Sequence, residues 1–410
     1  MERSSYIWNT AQSLIFATQS AIVLIVITRT NGLEDAGLFS IAYAVASLMY
    51  YIGEYGVRKY QVSDVNEEMS YTDYHSHRIL CCGIMTIVSI GYVLYGIMWQ
   101  GYTRNKAYVI LLTCLLKVVE SFQEVYFGRF QQVGRLDVAS KTNLFRTVIA
   151  MAGCMISLVI THNLAISMTV WVVLALVTFL ISSVLVSPEF GTIEFKFNWD
   201  KIKRLYVDCL PLFLGYFLLL YVGNAPKYAI DACMSSVDQA CYNFIFMPVF
   251  AVGLFANFIF NPILVKLSYH WDSRKFKPFK RIVVRQVFVI IGITLFAMLV
   301  AATIGCPVLG WLYNADLSSY KIDLVILMVG GGMLAMVNFL TVVVTVMREQ
   351  KFLMMGYVAA AVAALLSANK AVGTFGIRGA TVLYTVLMTI TTVFFAAVFT
   401  YFLKSAEREI

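Results

Sequence analysis

At 410 residues, 60 % of them apolar and only 13 % charged, the chain carries too little charge to coat a soluble domain of its size. Its net charge of +8 does not mark a nucleic-acid binder, because the cations sit in short segments between apolar runs, as membrane topology predicts. Cys81, Cys82, Cys114, Cys154 and Cys209 fall inside those runs as small hydrophobes, and Cys233 and Cys241 are a candidate bridge near the outer face.

Runs of about 20 apolar residues predict twelve membrane-spanning helices, at 8–28, 36–57, 79–99, 107–127, 143–161, 166–186, 209–228, 240–262, 286–305, 324–346, 352–372 and 380–403. The first run is membrane-length, so it reads as a retained helix and not as a cleaved signal peptide. The fold class is therefore an all-α integral membrane protein. Most loop lysines and arginines fall on one side, which places both termini in the cytoplasm. A longer segment near the middle divides the chain into a six-helix lobe at 1–190, a cytoplasmic linker at 191–208 and a second six-helix lobe at 209–410. Phe127-Gly-Arg129-Phe-Gln-Gln after span four has a counterpart in Val346-Met-Arg348-Glu-Gln-Lys after span ten, a faint repeat of the kind found in secondary transporters.

The ionisable residues at membrane depth are the functional candidates, since each is costly there. Span four carries Lys117, Glu120 and Glu124, whose offsets of three and seven put them on one helical stripe facing the bundle interior. One reading is a Lys117–Glu120 pair that only holds helices together. The other is a hydrated lumen in which Lys117 meets an anionic substrate and a glutamate carries coupling protons. Arg29 at the end of span one, Glu54 late in span two, Arg146 early in span five, and Lys227 with Asp231 complete the set; Arg29 also suits an interfacial anchor. Pro211 and Pro226 are candidate kinks that would let the lobes rock, as proline frees a backbone carbonyl within a span. The basic segment from Lys266 to Arg285 fits positive-inside topology and attraction to anionic lipid. His75 and His77 form an HxH in a cytoplasmic loop without further ligands, so no metal site is expected. No Walker loop, GxSxG, HExxH or DxD pair is present, so neither a soluble-type enzyme nor a self-contained ATP-driven pump is indicated.

Several segments in order resemble the polysaccharide transporter family of lipid-linked oligosaccharide flippases, which belongs with the MATE antiporters among the multidrug/oligosaccharidyl-lipid/polysaccharide exporters. They are Thr28-Arg29-Thr-Asn-Gly32 with Ala36-Gly37-Leu-Phe39-Ser40; Tyr55-Gly56-Val-Arg58-Lys-Tyr60-Gln61-Val62-Ser63-Asp64-Val65 with Tyr74 and Arg78; Gln132-Val-Gly134-Arg135-Leu136-Asp137-Val-Ala-Ser-Lys141 with Arg146; and Asn224-Ala-Pro226-Lys227-Tyr228 with Met247-Pro248 and Asn261-Pro262. Lys227 stands where the family usually has Arg, and keeps the charge. The resemblance implies two six-helix lobes in a MATE-like arrangement around a cationic lumen. It also implies an undecaprenyl-pyrophosphate-linked oligosaccharide as substrate, turned from the inner to the outer leaflet by alternating access for O-antigen, capsule or exopolysaccharide synthesis. On that reading Lys117, Arg146, Lys227 and Arg29 are the substrate-binding cations and Glu120, Glu124, Glu54 and Asp231 the coupling or ion-pairing carboxylates. No cofactor is implied; a proton gradient, a sodium gradient or the membrane potential would drive transport. Expected partners are membrane lipids, the glycosyltransferases that build the substrate and a polymerase that consumes it. The alternatives are a MATE-like exporter of small molecules, a membrane-embedded polymerase or ligase of the same pathway, or a scaffold for glycan-assembly enzymes.

Overall fold

The computed structural model describes residues 2–64, 67–194, 196–260 and 263–408, so Val65 and the Asn261-Pro262 motif lie outside the described residues. The described residues are almost entirely helical, with no strand among them. They form α1 (Glu2–Thr30), α2 (Leu33–Glu54), α3 (Val57–Ser63), α4 (Tyr71–Trp99), α5 (Arg104–Gln132), α6 (Leu136–Thr161), α7 (Leu164–Phe179), α8 (Trp199–Cys233), α9 (Ser236–Phe260), α10 (Leu264–Asp272), α11 (Phe276–Val300), α12 (Cys306–Tyr313), α13 (Lys321–Val346) and α14 (Gln350–Arg408). Five-residue π-turns extend α7 and α11.

Among the described residues nine helical stretches are long and apolar enough to cross a membrane. One of them, α14, holds two of the twelve expected spans. They meet at Gly376, whose φ of 58° and ψ of −140° leave the helical region. Only glycine adopts such angles without strain. Gly376→Ala is therefore expected to cost about 1–3 kcal/mol, read as a lower midpoint of thermal unfolding in detergent. The remaining two spans are α5, where Lys117, Glu120 and Glu124 break every apolar window, and α9, which is long enough to cross and apolar over its C-terminal two-thirds. Twelve spans are thus accounted for.

Several expected helix starts move toward the N-terminus. The third helix begins at Tyr71, eight residues before the apolar run, because Ser70 and Asp73 form a capping box there. His75 and His77 are consequently buried within α4 and not in a loop. The seventh helix begins at Trp199, ten residues before its apolar run, and passes through Pro211 and Pro226 without a break. Parts of the expected cytoplasmic loops are helical, as α3 and α10. Apolar counting stops where charges begin, but a helix continues through the interface wherever its backbone is capped. In the segment after α3, Asp64 accepts hydrogen bonds from the amides of Glu68 and Met69, 3.0 Å each, and from Tyr74 Oη at 2.8 Å. Burial alone would raise this carboxyl, but those three donors and Arg204 hold it below the usual carboxylate range.

The chain divides into two compact units, Met1–Phe217 and Leu218–Ile410, with the division inside α8. In the first unit α5 is the hub, packing on α2, α3, α4, α6 and α7, while α1 packs on α6 and α2. A helix with three charges at mid-depth cannot face lipid, so its position at the hub follows from its sequence. In the second unit α13 is the hub, against α9, α11 and α14. Gly330, Gly331 and Gly332 allow this: a Cβ at each would lie 2.6 Å from Tyr384 of α14, 3.4 Å from Val249 of α9 and 2.2 Å from Thr294 of α11. Small residues let membrane helices approach where no hydrophobic effect draws them together. The fourth and tenth spans thus hold the same place in their own units, in agreement with the faint repeat after each of them. Outward rows such as Ile87, Leu94 and Met98 of α4 and Leu295, Phe296 and Leu299 of α11 remain exposed, as a lipid-facing surface requires.

Candidate functional site

The stripe on α5 does not act as one triad. Lys117 and Glu120 pair at 2.6 Å, three residues apart and both essentially removed from solvent. Lys117 Nζ also donates to Tyr43 Oη of α2 at 3.0 Å and lies 4.5 Å from that ring. Arg146 of α6 brings a second cation to the same carboxylate, Nη1 to Oε1 at 3.6 Å. Gln19 of α1 donates to Glu120 Oε1 at 3.3 Å and to Tyr43 Oη at 3.1 Å. One carboxylate is therefore shared between two buried cations. Arg146 Nη2 bonds Asn143 Oδ1 at 3.0 Å, while its Nε has no hydrogen-bond acceptor among the described residues. Buried guanidinium donors left in this state hold capacity for an anion's oxygens.

Glu124, one turn further along α5, turns away and pairs with Arg58 of α3 at 2.7 Å, and Arg58 Nη2 bonds Gln131 Oε1 at 3.1 Å. Glu54, at the end of α2, is buried and accepts from the Gly56 amide at 3.2 Å. These residues border a cavity of about 650 Å³, lined also by Phe16, Tyr50, Asn143 and Tyr216. Phe16 and Tyr50 separate it from Lys117, whose Nζ lies 5.4 and 5.9 Å from their ring centres. The charge cluster and the cavity are thus adjoining parts of one site within the first unit.

Lys227 belongs to the second unit. It is buried, with Nζ 4.7 Å from the Phe246 ring centre and 5.9 Å from that of Phe250, and it forms no ion pair among the described residues. Tyr242 and Tyr384 flank the same Phe246 ring at 5.6 and 4.9 Å, and their hydroxyls, like the amide of Gln239, find no partner among the described residues. A buried ammonium on aromatic faces keeps part of its solvation through cation–π attraction. Asp231 is half-buried in the last turn of α8 and Arg29 is exposed in the last turn of α1. Pro226 is buried beside Lys227, whereas Pro211 is exposed. Cys233 and Cys241 are free thiols, so the candidate bridge is not formed.

Sequence reasoning missed three contributors. Arg78, not among the candidates read from the sequence, is buried in α4; it donates to the Gly53 carbonyl and, at 3.4 Å, to Ser121 of α5. Gln19 and Tyr43 complete the Glu120 and Lys117 shells. Each of the two is one of several uncharged polar residues on its helix, and such residues carry a signal only once their helix faces are known.

A family profile described as polysaccharide biosynthesis protein matches residues 4–268. The chain is 22 % identical over 320 residues, 78 % of its own length and 79 % of the relative's, to the capsular polysaccharide biosynthesis protein CapF of Staphylococcus aureus. Among solved structures it resembles an inward-facing multidrug resistance MATE-family transporter of the MOP superfamily, with a TM-score of 0.71, 11 % identity and 96 % of each chain covered. It also resembles the lipid II flippase MurJ in an inward closed conformation, with a TM-score of 0.69, 13 % identity, and 95 % of this chain and 87 % of the other covered. These likenesses establish a MATE-like fold and a multi-pass membrane protein.

Proposed function

The chain belongs to the polysaccharide biosynthesis protein family, and from that premise we propose that it is a flippase for undecaprenyl-pyrophosphate-linked oligosaccharides. The repeat unit is carried from the inner to the outer leaflet of the bacterial inner membrane by alternating access, with both termini in the cytoplasm. The observation that carries this reading is the cluster of Lys117, Glu120 and Arg146 at membrane depth, adjoining a polar cavity in the same unit. A pyrophosphate must leave water to cross, and buried cations with spare donors compensate that loss.

The sharing of Glu120 supplies the coupling. While it is ionised, Glu120 occupies Lys117 and Arg146. Taking up a proton would release both cations to the phosphates, and losing it on the other side would return them to Glu120 and expel the headgroup. Proton uptake and substrate binding then favour each other, as linkage requires, so the proton leaves with the substrate and the driving force is the inside-negative membrane potential acting on the net negative charge of the pair. Lys227 acts in the second unit as a further cation for the headgroup, without a carboxylate to displace. Glycosyltransferases build this substrate and a polymerase consumes it, and both are partners on this reading.

The test is the movement of a fluorescent undecaprenyl-pyrophosphate oligosaccharide across proteoliposome membranes under an imposed proton gradient, sodium gradient or potential. Transport driven by the inside-negative potential is expected. The absence of transport under all three would overturn the flippase reading.

A further inference from the structure

The charge cluster does not account for how the cavity in the first unit is lined. Asn9, Gln12, Ser13 and Phe16 of α1 all border it. Their spacing of three, four and seven places them on one stripe of a membrane-length helix. Neither the Asn9 nor the Gln12 amide bonds any described residue. Asn143 is held in place from behind, since Oδ1 accepts from Arg146 at 3.0 Å and from Thr147 at 3.3 Å, which leaves its N–H donors for the cavity. Facing these amides is an aromatic wall: Tyr51 stacks on Tyr216 at 5.8 Å and 10°, and Tyr50 meets Tyr51 edge-on at 5.8 Å.

The charges of the lining are balanced. Arg58 is held by Glu124 and Gln131, and Lys59 bonds the Tyr216 hydroxyl with its ammonium 4.1 Å from that ring centre. Glu54 and Glu124 match Arg58 and Lys59 in number, so the lining carries no net positive charge to draw an additional anion. Open amides, a flat aromatic wall and balanced charge describe a site for a ligand with many hydroxyls, an apolar face and no charge. A sugar ring fits that description: its hydroxyl or acetamido groups pair with amides, and its C–H face lies on aromatic rings. A volume of about 650 Å³ accommodates a short saccharide.

We infer that this cavity is a subsite for an uncharged sugar of the lipid-linked glycan, gripped by Asn9, Gln12 and Asn143 against the Tyr50, Tyr51 and Tyr216 wall. The inference rests on the flippase reading and adds to it a division of labour. Lys117 and Arg146 take the pyrophosphate, and the adjoining cavity reads the sugar. It also sets a preference: a uronic acid in this place would bring its carboxylate to Glu54 and Glu124 and be rejected.

The experiment is equilibrium binding to the full-length protein in nanodiscs of three probes: undecaprenyl pyrophosphate, the same lipid bearing N-acetylglucosamine, and the same lipid bearing glucuronic acid. Wild type is expected to bind the acetylglucosamine lipid about tenfold or more tightly than either of the others. The double variant Asn9→Ala/Gln12→Ala, which removes side chains that bond none of the described residues, is expected to lose that preference and to bind the bare lipid as wild type does. If wild type binds all three probes equally, or the double variant keeps the preference, the sugar subsite is refuted while the flippase reading stands. If wild type binds none of the three, the flippase reading fails first and the subsite with it.

Discussion

Replacing Glu120 with glutamine is expected to lower stability by about 3–5 kcal/mol and to abolish transport. The side chain keeps its shape, so the loss isolates charge. Lys117 and Arg146, both buried, would share a neutral amide in place of their carboxylate. Removing one partner of a buried ion pair leaves an uncompensated charge, which costs more than the pair contributed. The double variant Lys117→Met/Glu120→Gln should regain much of this stability, because only Arg146 then remains charged in the pocket. Thermal unfolding in detergent reads stability, and the proteoliposome assay reads transport. The two readouts separate the two roles the sequence allows for this pair. A purely structural pair predicts that the double variant transports as well as it folds. The proposed exchange of Glu120 for phosphate predicts a folded protein that no longer flips, and wild-type transport by the double variant would remove Lys117 and Glu120 from the mechanism.

Lys227→Met should behave in the opposite way with respect to stability. Lys227 is buried against Phe246 and Phe250 with no ion-paired carboxylate among the described residues, so its charge is a cost that cation–π attraction offsets only in part. Methionine matches the length of the stem and removes the charge. Stability is expected to rise, by about 1–4 kcal/mol if the gain is like that of other buried ions exchanged for apolar groups. Transport is expected to fall tenfold or more, since a headgroup cation is lost. Arginine at 227 should preserve transport, because it keeps the charge. A Lys227→Met protein that is both more stable and fully active would show that this lysine has no part in transport. Stability retained at the expense of a transporting residue is the signature expected of a binding site rather than of a structural ion pair.

Much of this architecture was legible in the sequence. Twelve apolar runs of membrane length correspond to the helices described, because a bilayer demands about 20 apolar residues per crossing and permits no other lipid-exposed backbone. The burial of α5 was legible as well, since three charges at mid-depth have nowhere else to go. Even the choice of Lys117, Glu120 and Arg146 rested on that same cost. Helix ends were less so. Tyr71 and Trp199 begin their helices well before the apolar runs, because caps and not hydropathy set a helix terminus.

Only the tertiary structure decided which charge meets which. The offsets within α5 allowed a Lys117–Glu120 pair but named no partner for Glu124 and no second cation for Glu120; packing gave Glu124 to Arg58 and brought Arg146 to Glu120. It likewise turned Arg78 inward and brought Gln19 and Tyr43 onto the cluster from two other helices. The amide stripe of α1 became a cavity wall only when α2 and α6 stood opposite it. Hydropathy records the depth of a residue along the membrane normal, which one helix specifies alone. Pairing depends on how each helix is rotated about its own axis, and that is settled jointly by all of its neighbours.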